Sequence, residues 1–67
     1  MADLGNLIKE RRIELGMTQD ELAEKTGYKT RSSVNKIEKG LNDLPRNKIE
    51  LFAKALNVPQ AYFLNDE

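Results

Sequence analysis

The chain has 67 residues, and this length predicts one small domain with a thin core. Cysteine and histidine are both absent, which excludes disulfides and removes the commonest general base and the commonest zinc ligand, so neither a metal nor another cofactor is expected. Eleven basic and eleven acidic residues cancel, and no apolar run has the length of a membrane span, so a soluble cytoplasmic protein is expected.

A first helix is predicted over residues 3–15, with Asp3 as its N-cap and Gly16 ending it. Gly5 is expected to weaken its first turn. The apolar spacing predicts one inward face, with Leu7 or Ile13 assisting. That face contains Leu4, Ile8 and Leu15. The charged residues are expected to be mostly solvated: Lys9, Glu10, Arg11 and Glu14.

A second helix is predicted over residues 18–26. Thr18 and Glu21 have the spacing of a capping box, in which each side chain bonds the other residue's main-chain amide. Met17 and Leu22 occupy the positions of a hydrophobic staple. Gly27 follows, where a left-handed residue ends a helix.

A third helix is predicted over residues 30–39, with Thr30 as its N-cap and Gly40 as its stop. The spacing i, i+3, i+7 places Val34, Ile37 and Leu41 inward. The outward positions are then Arg31, Ser32, Asn35 and Lys36, with Ser33 at the edge.

Two further helices are predicted over residues 47–56 and 59–64. Asn47 and Glu50 are expected to form a second capping-box-like pair, and Asn57 takes the left-handed terminal position before Pro59. The inward residues of the fourth helix are Ile49, Phe52, Ala53 and Leu56, and those of the fifth are Tyr62, Phe63 and Leu64.

Five short helices without any strand pattern predict an all-α, compact orthogonal bundle formed by a single domain of residues 1–67, in which the second and third helices make a helix-turn-helix. Positive charge is concentrated in its middle, where residues 25–48 hold seven basic and two acidic side chains. The basic residues are Lys25, Lys29, Arg31, Lys36, Lys39, Arg46 and Lys48. Such a local excess suits contact with phosphates even when the net charge is zero.

The pattern LGMTQDELAEKTGY, SSVNKIEKG, IELFAKALNV and AYFL resembles the lambda-repressor-like helix-turn-helix domains of the Cro/CI or Xre type, over nearly the whole chain. The form GYKTRSSVNKIEKG is most similar to the N-terminal domains of phage CI-type repressors. In several of these a self-cleaving dimerisation domain follows, so this chain is expected to be an isolated DNA-binding domain.

The resemblance implies a recognition helix over residues 30–39 in the major groove of double-stranded operator DNA. Gln19 matches a residue that bonds a phosphate and braces that helix, while Arg12 and Glu38 match an interior ion pair. Arg31, Ser32 and Lys36 match the family's base-reading positions, and groups after Gly40 are expected to grip the DNA backbone. The full set of expected DNA-binding residues is Gln19, Lys29, Thr30, Arg31, Ser32, Ser33, Asn35, Lys36, Lys39 and Asn42.

Two departures from the family pattern bear on DNA binding. Val34 lies seven positions beyond Gly27 instead of six, so the register of Lys29 and Thr30 is open by one residue. Asp43 stands where many relatives have a basic residue and would be repelled by a phosphate, with Asn42, Lys39 and Arg46 compensating.

Several side chains have a plainer interpretation beside the functional one. Arg31 suits a bidentate contact to guanine, or is a solvated or phosphate-binding arginine. Lys36 suits a base or a phosphate. Ser32 and Ser33 suit a base, a phosphate or simply a helix start, and Asn35 suits adenine or solvent.

Four apolar residues are either core or dimer contacts: Leu41, Leu44, Tyr62 and Phe63. The acidic residues Asp20, Glu21 and Glu24 either contact polymerase or only favour the helix dipole.

The expected function is a sequence-specific transcriptional regulator, a repressor that binds a palindromic operator as a homodimer. The alternative is a protein-interaction module of the antitoxin or anti-repressor type, which the zero net charge and Asp43 favour slightly. An enzyme with a small-molecule substrate is not expected, because histidine, cysteine, a phosphate loop and clustered carboxylates are all missing from the sequence.

Overall fold

The computed structural model describes residues 4–64, and this range forms five α-helices, one 3-10 turn and no strand. The helices are α1 (Leu4–Glu14), α2 (Gln19–Lys25), α3 (Arg31–Glu38), α4 (Ile49–Leu56) and α5 (Ala61–Leu64), and the 3-10 turn is Arg46–Lys48. The predicted all-α bundle of five helices is therefore confirmed. The expected N-cap Asp3 lies outside the described residues. None of the helices within residues 4–64 combines the length and hydropathy needed to cross a bilayer.

One apolar core joins all five helices. The α3 helix packs against α1 and α2, and α4 packs against α1, α2 and α5. The buried apolar side chains are Ile8, Leu22, Ala23, Val34, Ile37, Phe52, Ala53, Leu56 and Phe63. The predicted inward face of α4 is thus confirmed, with Ile49 half-buried at the start of the helix.

The predicted caps of α2 and α3 are both present. The Thr18 hydroxyl accepts a hydrogen bond from the Glu21 amide at 3.0 Å, and the Glu21 carboxylate accepts one from the Thr18 amide at 2.8 Å. Thr30 is extended, with φ −139° and ψ 161°, and its hydroxyl accepts from the Ser32 amide at 3.3 Å. The register of the turn is thereby fixed, with Lys29 in the turn and Thr30 as the cap.

The four longer helices end in the same way. After α2, the Tyr28 amide donates to the Ala23 carbonyl at 2.9 Å and the Gly27 amide donates to the Glu24 carbonyl at 3.3 Å. This pair of bonds is the Schellman motif, and it requires a left-handed residue, here Gly27 with φ +83°. The equivalent bonds follow α1, α3 and α4, where the left-handed residues are Gly16, Gly40 and Asn57.

These endings explain which apolar residues were wrongly predicted to face inward. Leu41 is 71% exposed, because Gly40 reverses the chain and the helical spacing that linked Leu41 to Ile37 no longer applies. Leu15 is also exposed, at 40%, and of the two alternatives Leu7 and Ile13, Leu7 is half-buried and Ile13 is 57% exposed. Ile13 lies on the outer face of α1, and Leu15 comes after the last helical residue, Glu14.

The predicted capping pair of Asn47 and Glu50 is wrong. Pro45 is extended and opens a 3-10 turn, in which the Lys48 amide donates to the Pro45 carbonyl at 2.9 Å. Asn47 lies inside that turn, so it lacks the extended backbone that an N-cap needs. The residue before α4 is Lys48, which makes no side-chain cap, and Glu50 instead pairs with Lys54 at 3.4 Å.

Gly5 is buried where α1 meets the end of α3. A Cβ atom at this position would lie 2.5 Å from the main-chain oxygen of Glu38 and equally close to that of Ile37. The glycine that the sequence marks as a weak helix position is therefore a contact site, at which two helix backbones approach too closely for any side chain.

We expect Gly5→Ala to destabilise the protein by about 1–3 kcal/mol, because overpacking outweighs the gain in helix propensity of about 1 kcal/mol. Urea denaturation measures the difference. Asn6→Ala is the matched control, since Asn6 is exposed in the same turn and its substitution should change stability little. A Gly5→Ala variant that is as stable as Asn6→Ala would contradict the close approach of α1 and α3.

Candidate functional site

The outer face of α3 carries the polar and basic side chains that the sequence singled out. Ser32 and Lys36 are one turn apart and exposed, and Lys39 continues the same face. Arg31 begins the helix with a side chain that is 69% exposed. Lys29, Thr30 and Asn42 are exposed beside it, whereas Gln19, Ser33 and Asn35 are half-buried. Hydroxyl and cationic donors therefore cover one continuous surface, here called the α3 face: Lys29, Thr30, Arg31, Ser32, Lys36, Lys39 and Asn42.

The inner side of α3 is fixed by an ion pair with α1. Arg12 Nε donates to Glu38 Oε2 at 2.7 Å, and Arg12 Nη2 donates to Glu38 Oε1 at 3.2 Å. The two side chains are only 12% and 3% exposed. Arg12 Nη1 also donates to the Met17 carbonyl at 2.9 Å, so one guanidinium joins α1, the following loop and α3. The ion pair implied by the resemblance is present.

Gln19 extends this network from the first residue of α2. Its Nε2 donates to Glu38 Oε1 at 3.0 Å and to Asn35 Oδ1 at 3.3 Å. Because the Glu38 carboxylate can only accept, the Gln19 amide must present its nitrogen to it. Gln19 therefore braces α3, as the resemblance implies, and both of its side-chain hydrogens are used inside the protein.

Asn35 has an arrangement that neither sequence interpretation included. Its oxygen accepts from Gln19, and the residue is half-buried instead of pointing into solvent. A bidentate contact to adenine requires both the oxygen and the nitrogen of the amide. Because one lone pair of the Asn35 oxygen is already engaged by Gln19 and the residue is half-buried, adenine reading by Asn35 is disfavoured.

Arg31 has one weak partner among residues 4–64. Its Nη1 lies 4.0 Å from Asp20 Oδ2, and both side chains are 69% exposed. Such exposed pairs contribute about 0–1 kcal/mol, so an anionic partner can displace Asp20 at little cost. Asp20 thus leaves the Arg31 guanidinium largely exposed on the α3 face.

Lys48 does not belong to the basic surface that the charge pattern suggested. It is half-buried, and its Nζ donates to the Thr26 carbonyl at 2.7 Å. The remaining basic side chains of residues 25–48 are exposed. Glu38, one of the two acidic residues of this range, is buried as well, so the local positive excess available to a partner is as large as the sequence indicates.

Sequence reasoning also missed two structural roles. Arg11 was expected to be solvated, but its Nε donates to the Leu56 carbonyl at 2.9 Å and its Nη2 donates to the Asn57 carbonyl at 3.4 Å, at the end of α4. Tyr28 packs its ring edge-to-face on Phe52, with the ring centroids 6.3 Å apart. An aromatic residue directly after a helix-ending glycine was the available signal for Tyr28, because the Schellman motif favours an apolar contact there. No sequence signal pointed to the partner of Arg11.

Within residues 4–64 no three acidic, cysteine or histidine side chains come together as a metal site. What the α3 face offers is a set of hydrogen-bond donors on a helix that its inner contacts hold in place. Such a surface suits a ligand rich in acceptors and negative charge.

Comparison with known proteins gives consistent matches. Residues 8–63 match the model of the family HTH_3, described as helix-turn-helix. A relative from Sinorhizobium medicae, described as an uncharacterized HTH-type transcriptional regulator, is 36% identical over 63 residues, which are 94% of this chain and 45% of the relative. The chain thus spans about half the length of that curated relative.

Two solved structures share the fold closely. The restriction-modification controller protein C.AhdI from Aeromonas hydrophila is 28% identical with a TM-score of 0.83, and the match covers 91% of each chain. The wild-type restriction-modification controller protein C.Esp1396I is 34% identical with a TM-score of 0.78, covering 92% of this chain and 79% of the other.

Arg12→Met should destabilise the protein by about 3–5 kcal/mol, because it leaves the buried Glu38 carboxylate without its cation. Urea denaturation measures the loss. The double variant Arg12→Met with Glu38→Met should recover most of it, since neither charge then remains buried.

The comparator is Lys54→Met, which breaks the exposed Lys54–Glu50 pair and should cost about 0.5 kcal/mol or less. Equal losses for Arg12→Met and Lys54→Met would show that burial adds nothing to the Arg12–Glu38 pair.

Proposed function

The chain belongs to the helix-turn-helix family HTH_3, as its resemblance to lambda-repressor-like domains implied, and from this premise we propose that it is a sequence-specific DNA-binding transcriptional regulator. The α3 helix enters the major groove of double-stranded DNA with the α3 face toward the bases. The observation that carries the proposal is this face itself: an outward row of basic and hydroxyl side chains on a helix whose inner side is fixed by Arg12, Gln19 and Glu38.

The exposed side chains divide into base readers and phosphate ligands. Arg31 reads a guanine, since it lies at the start of α3 and the N-terminal residues of a recognition helix contact base edges. Ser32 and Lys36 lie next along the same face and approach the following base pair or its phosphate. Ser33 is half-buried at the edge of the helix and serves as a short contact to the backbone.

Phosphate contacts come from both ends of α3. Lys29 and Thr30 precede the helix, and Lys39 and Asn42 follow it, and all four are exposed. Gln19 contributes through its main-chain amide, because both side-chain hydrogens already bond Glu38 and Asn35. The first amides of a helix lack intrahelical partners and readily bind a phosphate oxygen. Arg46 is exposed three residues after Asp43 in the sequence and offsets the unfavourable charge of that carboxylate.

The regulator acts as a homodimer on a palindromic operator. One short recognition helix reads only a few base pairs, and two copies related by a two-fold axis double the recognised sequence. Occlusion of a promoter by the bound dimer gives repression. The fold similarity to two restriction-modification controller proteins supports a regulatory role.

The role proposed is one of binding without catalysis, and it requires no cofactor, metal or small-molecule substrate. The relatives are described as transcriptional regulators, in line with this proposal. Since its ligand is operator DNA, the protein acts in the cytoplasm, on the nucleoid.

Selection of bound sequences from a random DNA pool tests the assignment of Arg31. The wild-type chain should enrich a half-site containing one guanine that Arg31→Ala no longer selects, because a bidentate arginine contact is worth about 1–3 kcal/mol of discrimination. Arg46→Ala is the matched control, since Arg46 is exposed and lies outside α3. It should weaken binding to all sequences alike and leave the guanine preference intact. An unchanged preference in Arg31→Ala removes Arg31 as a base reader.

Salt dependence separates DNA binding from the alternative of a protein-interaction module. The logarithm of the binding constant should fall linearly with the logarithm of salt concentration, with a slope of about −0.9 for each phosphate neutralised. Fluorescence anisotropy of a labelled selected duplex measures the slope between low and physiological salt. Binding that is insensitive to salt would favour the protein-interaction module.

A further inference from the structure

Tyr28, in the turn between α2 and α3, is held from two sides. Its ring packs edge-to-face on Phe52 of α4, at an interplanar angle of 66°. The Nζ of Lys48 lies 4.5 Å from the centroid of the Tyr28 ring, within the range of a cation–π interaction. Burial raises the pKa of the Tyr28 phenol above its ordinary value, so the ammonium faces a neutral ring at physiological pH.

The same ammonium closes the end of α2. Lys48 Nζ donates to the Thr26 carbonyl at 2.7 Å, and Thr26 is the C-cap of α2. Carbonyls at the end of a helix lack intrahelical partners and carry the negative end of the helix dipole, so a cation there is favourable. One side chain at the start of α4 thus binds both the end of α2 and the turn that leads into α3.

The turn leaves space for this lysine. A Cβ atom on Gly27 would lie 3.0 Å from Lys48 Nζ, and the φ of +83° also disfavours any side chain there. Gly27 therefore serves two purposes, ending α2 and leaving room for the ammonium.

We propose that Lys48 is a positioning residue for DNA recognition, which sets the base preference of α3 through Thr26 and Tyr28 without itself touching DNA. The inference rests on the proposed function. Only Lys29 separates Tyr28 from Thr30, the N-cap of α3, and Arg31 follows directly. A shift of the Tyr28 ring therefore moves the beginning of the recognition helix. The contacts of Arg12 with Glu38 lie at the C-terminal end of α3 and do not restrain its N-terminal end.

Positioning and phosphate binding by Lys48 have different signatures. A lysine that binds a phosphate contributes equally to all sequences, and its loss lowers the salt slope by about 0.9. A lysine that positions α3 affects the preference among sequences, because base contacts depend on the placement of the reading side chains. Its removal leaves the number of phosphate contacts unchanged.

The test compares Lys48→Met with Lys54→Met. Both remove one positive charge from the same part of the chain and keep an apolar stem, but Lys54 is exposed and pairs only with Glu50 among the described residues. Far-UV circular dichroism at low temperature first verifies that each variant is folded. Each variant is then measured against the duplex that the wild-type chain selects, against random duplex, and in selection from a random pool.

Lys48→Met should bind the selected duplex about tenfold more weakly than Lys54→Met, which corresponds to about 1.4 kcal/mol, while the two bind random duplex equally. Its preference at the guanine assigned to Arg31 should relax, and its salt slope should equal that of Lys54→Met. Tyr28→Leu should reproduce this altered preference, and Tyr28→Phe, which keeps the ring beneath the ammonium, should retain that of the wild type. If Lys48→Met does not fold, the comparison of Tyr28→Leu with Tyr28→Phe tests the proposal.

The outcomes distinguish this inference from the function on which it rests. If the wild-type chain selects no sequence, the proposed function is overturned and the inference with it. If the wild-type chain selects a sequence, and the folded Lys48→Met or Tyr28→Leu variant has the same preference for that sequence over random duplex, the inference alone is overturned. A salt slope lowered by about 0.9 in Lys48→Met, with equal loss on all sequences, makes Lys48 a phosphate ligand and also overturns it.

Discussion

The arrangement of the molecule depends on one buried ion pair. Arg12 and Glu38 are both removed from solvent, and taking two charges out of water is costly unless all their hydrogen-bonding groups are engaged. Glu38 accepts from Arg12 and Gln19, and Arg12 also bonds the Met17 carbonyl. Sliding of α3 would leave one of these charges unpaired, so the pair fixes the end of the helix that carries Glu38.

The opposite end of α3 has a separate restraint. There the turn packs through Tyr28 against Phe52, and Lys48 ties that ring to the end of α2. The α3 helix is thus restrained at both ends. Its inner face is buried through Val34 and Ile37, and the exposed polar side chains of its outer face can contact a partner. A rigid helix loses little conformational entropy on binding, which favours a small recognition surface such as this one.

Much of the fold could be predicted because short-range signals agree with one another. The Thr18 capping box, the Thr30 cap and the left-handed residues after four helices each depend on neighbours a few positions away. Predictions failed where the chain changes direction or two elements meet. Leu41 has the periodicity of α3 but follows its end, and Asn47 has the spacing of a cap but lies in the 3-10 turn that Pro45 opens.

The sequence alone determined the class of the protein and the side chains of its outward helix face, since helix periodicity and capping chemistry are local properties of the chain. Only the tertiary structure decided which distant groups Lys48, Arg11 and Asn35 contact. It assigned Lys48 to Thr26 and Tyr28, Arg11 to the end of α4 and the oxygen of Asn35 to Gln19. The physical reason is that these partners are 16 to 46 residues apart in the sequence, so that only the packing of the helices brings them within hydrogen-bonding distance.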